Sequence, residues 1–146
     1  MSNHDEMSLT RLADDYVALW NEPDPAARRD RLQHLWTEDG AQVLVNPPQE
    51  ARESLARLAV SIPSVEIRGR DAMERRVSAA YELFVASGEH RFAPGGPAVR
   101  LAGNLIGLAW LMVTTKDESV AGGGYDVLVL DGENRIRWDH QYVGIS

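Results

Sequence analysis

The chain has 146 residues, enough for one domain with a substantial core and too few for two. A formal net charge of −7, with no Lys/Arg cluster interleaved with aromatics, argues against nucleic acid and anionic membranes as partners. Cysteine is absent, which excludes disulfides, thiolate metal sites and Cys nucleophiles.

The opening "MSNHDEMSLT" lacks the basic-then-apolar pattern of a secretory signal, and residues 1–7 are expected to be a flexible N-terminus. From Ser8 to Asn21, Leu9, Leu12, Ala13, Tyr16, Leu19 and Trp20 recur at helical spacing, with Ser8 as a cap and Pro23 as a stop. Asp24-Pro25 supplies an N-cap and a first-turn proline for a second helix. That helix would carry Leu32, Leu35 and Trp36 on one side and end at Gly40. "AQVLVNPP" then reads as a strand closed by Asn46 and two prolines. A small helix is expected over Gln49–Ser61. Asp71 and Glu74 have capping-box spacing before a stronger helix with Met73, Val77, Ala80, Tyr81 and Phe84. Beyond Ser87 the pattern turns to strands, at His90–Phe92, Val99–Leu101, Asn104–Thr115, Ser119–Leu130 and Arg135–Val143. The longest apolar run, Leu101 to Val113, contains Asn104 and is too short to cross a bilayer. Helices followed by antiparallel strands make one α+β domain over 1–146, and a cytoplasmic protein is expected.

The final hairpin, "GGGYDVLVLDGENRIRWDHQYVG", holds the sharpest chemical signal. A two-residue turn at Gly132-Glu133 would pair Leu130 with Arg135, Leu128 with Arg137 and Asp126 with Asp139, unless a bulge intervenes. Asp126, Leu128, Arg137, Asp139 and Gln141 would share one face. Tyr125, Val127, Val129, Ile136, Trp138, His140 and Tyr142 would share the other. Opposed carboxylates are unfavourable unless water, a cation or a proton intervenes. On pattern alone, the aromatic face reads as the core and the acidic face as a solvated outside.

Other chemistry is sparse. Glycines 122–124 precede a strand, not a helix, so they suit a bulge or close packing better than a phosphate loop. His4, His34, His90 and His140 show no ligand spacing, so no metal site is expected. Neither a nucleophile elbow nor a Walker loop is present. Tyr16, Trp20, Trp36 and Trp110 suit a core, or together the wall of an apolar pocket.

"YVALWNEPDPAARRDRLQHLW", "VNPP" and the final hairpin together resemble the NTF2-like superfamily, especially its SnoaL-like proteins. The resemblance runs from about Leu9 to Val143. It implies a cone-shaped fold, with a curved antiparallel sheet wrapped around three or four N-terminal helices, and homodimers formed through the outer sheet face. It also reverses the reading of the hairpin: the acidic face becomes the cavity lining, and the rings face a second copy. Ketosteroid isomerases of the superfamily are similar at Tyr16 and Asp126, which implies a phenol and a protonated carboxyl donating to a carbonyl or enolate oxygen. Asp139 would then be ionised and move the substrate proton. Where those enzymes have a general-base aspartate before a proline, this chain has Asn46. Polyketide cyclases and epoxide hydrolases of the superfamily carry an acid near Gln141. Asn46 and Gln141 can orient polar groups but cannot take a proton. Arg137, Asp139 and Asp126 resemble in composition the Asp-Arg-Asp set of those hydrolases, though Arg137 suits solvent equally well. The implied function is an isomerase or cyclase acting on a small apolar or aromatic molecule without a cofactor, or a ligand-binding accessory protein. Its ligand contacts would be Trp20, Trp36, Asn46, Trp110 and Gln141.

Overall fold

A computed structural model describes residues 3–45 and 65–144, with residues 3–6 as backbone alone. The helix expected over Gln49–Ser61, and Asn46, lie outside these residues. Helix α1 spans Asn3–Asn21 and so begins ahead of Ser8. It turns Leu9, Ala13, Tyr16, Leu19 and Trp20 into the core. Helix α2, Pro25–Leu35, starts as expected: the Asp24 carboxylate accepts from the Ala27 amide at 3.2 Å, and Pro25 fills the first turn.

The end of α2 departs from expectation. Trp36 leaves the helix with φ −114° and ψ 149° and opens strand β1, Trp36–Leu44, which continues through Gly40. Gly40 is therefore no helix stop. A Cβ there would come within 2.9 Å of the Ile136 carbonyl and 3.0 Å of the Trp36 ring, so the residue permits a close approach between strands. Strand β2, Val65–Arg68, pairs with β1 and precedes helix α3, Arg70–Ala80. Asp71 does not cap α3; Gly69, at φ 87°, occupies the N-cap position with no side-chain bond. A π-helical turn over Tyr81–Val85 follows.

The remaining strands are β3 (His90–Pro94), β4 (Val99–Ala102), β5 (Leu105–Thr114), β6 (Val120–Leu130) and β7 (Ile136–Val143). Among the described residues they complete a curved, unclosed sheet in the order β2-β1-β7-β6-β5-β3, with β4 also on β5. The sheet is mixed, because β1 runs parallel to β7, while the other pairs are antiparallel. Among the described residues three α-helices lie against its concave side, giving the expected α+β class.

The hairpin register differs from the expected one, for two reasons that compensate. Its loop has three residues, closed by the Asp131 amide donating to the Arg135 carbonyl at 2.8 Å. Asn134, not Gly132, takes the positive φ, at 64°. The Asp131 carboxylate accepts from the amides of Glu133 and Arg135, which fixes this longer loop. The extra residue shifts the register by one and turns Ile136 inward, where it is fully buried. A bulge at Arg137 then shifts it once more and leaves Arg137 exposed. Asp126 thus pairs with Gln141, and Asp139 with Leu128. Two single shifts restore the original phase, so Asp126, Leu128, Asp139 and Gln141 still share a face.

That face is the inner one: Asp126 and Asp139 are both 0% exposed. On the outer face Tyr125, Val127, Val129, Trp138 and His140 are half-buried, with the Arg68 guanidinium 4.9 Å from the Trp138 ring centre. The solvated acidic face suggested by pattern alone is therefore overturned. Alternation identifies two faces but not which one the helices cover.

The glycine run serves close packing. A Cβ on Gly124 would sit 2.5 Å from both the Trp110 ring and the Tyr142 carbonyl. Gly124→Ala should destabilise the fold by about 1–3 kcal/mol. Urea unfolding with an unchanged slope and a lowered midpoint would show this; an unchanged midpoint would contradict the packing role.

Candidate functional site

Tyr16 points from α1 onto the inner face, because helical spacing aligns it with Ala13, Leu19 and Trp20. Its hydroxyl lies 2.7 Å from Asp126 Oδ2 on β6 and 2.6 Å from Asp139 Oδ2 on β7. The two carboxyls are diagonal neighbours across the hairpin, a separation that one phenol oxygen can bridge. Three acidic groups meet there with almost no access to water. One phenol proton cannot serve two carboxylates, so a second proton is required: one carboxyl is an acid and the other an anion.

The hydrogen bonds show which is which. Asp126 accepts from Trp110 Nε1 at 2.7 Å, and from Gln141 Nε2 at 3.3 Å on Oδ1 and 3.2 Å on Oδ2. Asp139 receives Gln42 Nε2 at 3.1 Å on Oδ2, while its Oδ1 is buried without a partner among the described residues. More donors reach Asp126, which favours it as the anion, so we assign the proton to Asp139. That assignment is the reverse of the one the resemblance implies. Burial pushes both carboxyls above their ordinary range; at Asp139 the neighbouring Asp126 charge pushes further, and the shift is larger. Burial, followed by the two Asp charges, likewise holds the Tyr16 proton well above its usual value.

Arg76 completes the cluster. Its Nε donates to Gln42 Oε1 at 3.1 Å and its Nη2 to Gln141 Oε1 at 3.1 Å. A guanidinium only donates, so both glutamines must present oxygen to Arg76 and nitrogen to the carboxyls. Two relays, Arg76–Gln42–Asp139 and Arg76–Gln141–Asp126, therefore converge on Tyr16. With Arg76 cationic, Asp126 anionic and Asp139 neutral, the cluster carries no net charge.

Above it opens a pocket of about 290 Å3. Tyr16, Arg76, Trp110 and Gln141 reach its wall; Asp126 and Asp139 do not and lie behind them. The rest is mainly apolar, including Val17, Trp20, Leu44, Phe84, Phe92 and Met112. Phe92 meets Phe84 and Trp110 edge-on, with ring centres 6.3 and 5.7 Å apart. The Asn21 side chain exchanges two 2.8 Å hydrogen bonds with the Phe92 backbone and so ties this wall to α1.

Of the residues singled out in the sequence, Tyr16, Trp20, Trp110, Gln141, Asp126 and Asp139 are brought together. Trp36 is not: its exit from α2 places it in the core, 1% exposed and outside the pocket wall. Arg137 stands in solvent, so no Asp-Arg-Asp set forms. Sequence reasoning missed Arg76 and Gln42, although both left a trace. Arg76 falls at helical spacing among Met73, Val77 and Ala80, and Gln42 interrupts the apolar run of β1. Among the described residues no group of His, Asp and Glu is arranged to hold a metal, and no helix is long and apolar enough to cross a membrane.

No protein-family model matches the chain, and no curated protein matches it. Solved structures do. A SnoaL-like protein from Agrobacterium tumefaciens str. C58, assigned as a candidate isomerase, is similar at 23% identity with a TM-score of 0.71, over 94% of this chain and 97% of that one. An NTF2-like protein of unknown function from Exiguobacterium sp. 255-15 gives 17% and 0.60, over 92% and 99%. A protein with a ketosteroid isomerase-like fold from Catenulispora acidiphila, in complex with trimethylamine, gives 16% and 0.58, over 92% and 86%. The chain therefore has the NTF2-like fold shared by these proteins, in agreement with the resemblance in its sequence. At these identities the likeness establishes the fold alone.

Asp139→Asn mimics the protonated acid and should preserve the fold. Because the folded pKa of Asp139 is raised, its contribution to stability is greatest below the ordinary carboxyl range and declines as pH rises towards the folded pKa. Urea midpoints at mildly acidic and alkaline pH should therefore fall less with rising pH in Asp139→Asn than in the parent chain. Equal slopes would place the shared proton elsewhere.

Proposed function

We propose that the protein binds a small, largely apolar organic molecule with a carbonyl or enolate oxygen against Tyr16 and Arg76. On this reading it acts as an isomerase or cyclase without a cofactor. The supporting observation is that the Tyr16 hydroxyl belongs both to the pocket wall and to the buried pair that shares a proton. With Asp139 donating to the phenol oxygen, the phenol proton is free to turn from Asp126 to a ligand oxygen. Asp126 remains satisfied by Trp110 and Gln141. Donors fixed in a dry pocket stabilise charge that develops on that oxygen. The carboxyls act through Tyr16 and are positioning residues, not direct partners of the substrate.

A second reading, binding without turnover, has a specific observation in its favour. Tyr16, Arg76 and Gln141 are the polar side chains on the described wall apart from the indoles, and none takes a proton from carbon at neutral pH. The readings separate by deuterium exchange beside the carbonyl of a small aryl ketone, followed by NMR, with binding monitored through Trp20 and Trp110 fluorescence. Turnover predicts exchange that Tyr16→Phe slows by about 10²–10⁴-fold. Fluorescence change without exchange selects the binding reading, and the absence of both rejects each.

The outer sheet face is proposed to pair with a second copy, supported by the half-buried Trp138, Val127 and Tyr125 and by Tyr142, which is 36% exposed. Sedimentation at micromolar concentration should give twice the 16.2 kDa chain mass; a species at 16.2 kDa alone would remove the proposal.

A further inference from the structure

Arg76 uses Nε and Nη2 to hold the two glutamines, while Nη1 has no hydrogen-bond partner among the described residues. The Arg76 side chain lines the pocket, and among the described residues Nη1 is not a buried atom left without a partner. The guanidinium is steadied from another side by Trp20, whose ring centre lies 5.2 Å from Cζ. An otherwise apolar pocket thus presents a preorganised cation with donors to spare. Among the described residues, the titratable groups that act on it are Tyr16 from α1, Asp126 from β6 and Asp139 from β7.

We infer that the pocket selects a molecule bearing a carboxylate, held by Arg76, and that this anion enters together with a proton taken up by the Asp126–Asp139 pair. The inference names the ligand class for the proposed site and rests on that site binding a small molecule. Its physical basis is charge balance. The empty cluster is neutral, with one cation, one anion and one carboxylic acid. A neutral ligand leaves that balance intact. An anionic ligand adds a second negative charge beside Asp126 in a poorly hydrated space, where like charges interact strongly. Protonating Asp126 restores neutrality, and Trp110, Gln141 and Tyr16 remain in place around the acid. A cationic amine would instead face Arg76 without compensation.

The test is titration calorimetry with phenylbutyrate, phenylbutyramide, phenylbutylamine and phenylpropanesulfonate, in phosphate and in Tris, at about pH 6 and about pH 8. Phenylbutyrate should bind at least about tenfold more tightly than the amide at the lower pH. Its affinity should fall towards the higher pH, and the heat should depend on the buffer in the sense of proton uptake. The sulfonate, which stays ionised, should bind with uptake as well. Arg76→Met should erase the preference over the amide, and Arg76→Lys, which keeps the charge, should retain much of it.

Amide binding equal to that of the acid, an amine that binds tightest, or acid binding without uptake would each overturn the inference while leaving a small-molecule pocket in place. A carboxylate that binds where the sulfonate does not would mean entry as the neutral acid, which also overturns it. If none of the four binds, both the inference and the proposed site fail.

Discussion

One phenol oxygen placed between two buried carboxyls imposes the constraint on which the rest of the site depends. Tyr16 approaches Asp126 and Asp139 within 2.7 and 2.6 Å, so the three groups require two protons between them. Full ionisation of both acids would leave two unscreened charges in the core, which is costly in a poorly polarisable interior. Holding a proton on Asp139 removes one charge. Arg76 offsets the other through two glutamines, without a direct salt bridge to either acid. The conserved quantity is neutrality across α1, α3, β1, β6 and β7. Substituting a charged member, Arg76 or Asp126, would therefore alter the proton balance of the others as well as a hydrogen bond, whereas Asp139→Asn would not.

The architecture that permits this is only partly local. Tyr16 and Asp126 lie 110 residues apart and meet because α1 crosses the concave side of the sheet. Gln42 reaches Asp139 because β1 runs parallel to β7, placing the two directly side by side. Glycine at position 124 leaves room for the Trp110 ring, whose Nε1 donates to Asp126. Backbone contacts elsewhere thus decide where the charged atoms sit.

Much of this could be read from the sequence, and the failures have physical causes. Helical spacing identified α1, its buried Tyr16 and the start of α2, since capping and amphipathicity are local signals. Strand alternation put Asp126, Asp139 and Gln141 on one face. The exact opposition of the two acids did not survive, because Asp131 stabilises a three-residue loop and Arg137 bulges. Two single-residue shifts cancel in phase but not in register, and neither has a strong sequence signature. Leu32, Leu35 and Trp36 share helical spacing, which by itself places Trp36 on a helix. Its strand conformation is set by pairing with Ile136, a contact that local pattern does not show. Arg76 and Gln42 escaped notice because a charged residue in a helix and a polar one in a strand normally face water. The packing of α3 against β1, a tertiary contact, makes them face each other.

The placement of the acids behind the pocket wall decides what chemistry they can do. An aspartate in direct contact with a ligand could take a proton from carbon. Among the described residues, Asp126 and Asp139 instead meet the pocket through Tyr16, Trp110 and Gln141, so their effect there would travel as hydrogen-bond polarity or as a proton handed to the phenol. Such a layout suits stabilising negative charge on a ligand oxygen more than abstracting a proton. The same layering makes the pocket's electrostatics adjustable. A proton added to the pair would change the net charge a ligand meets, because the acids lie directly behind Tyr16, Trp110 and Gln141. On the inference drawn above, what the pocket holds and how many protons lie beneath it would be linked through Tyr16, Trp110 and Gln141.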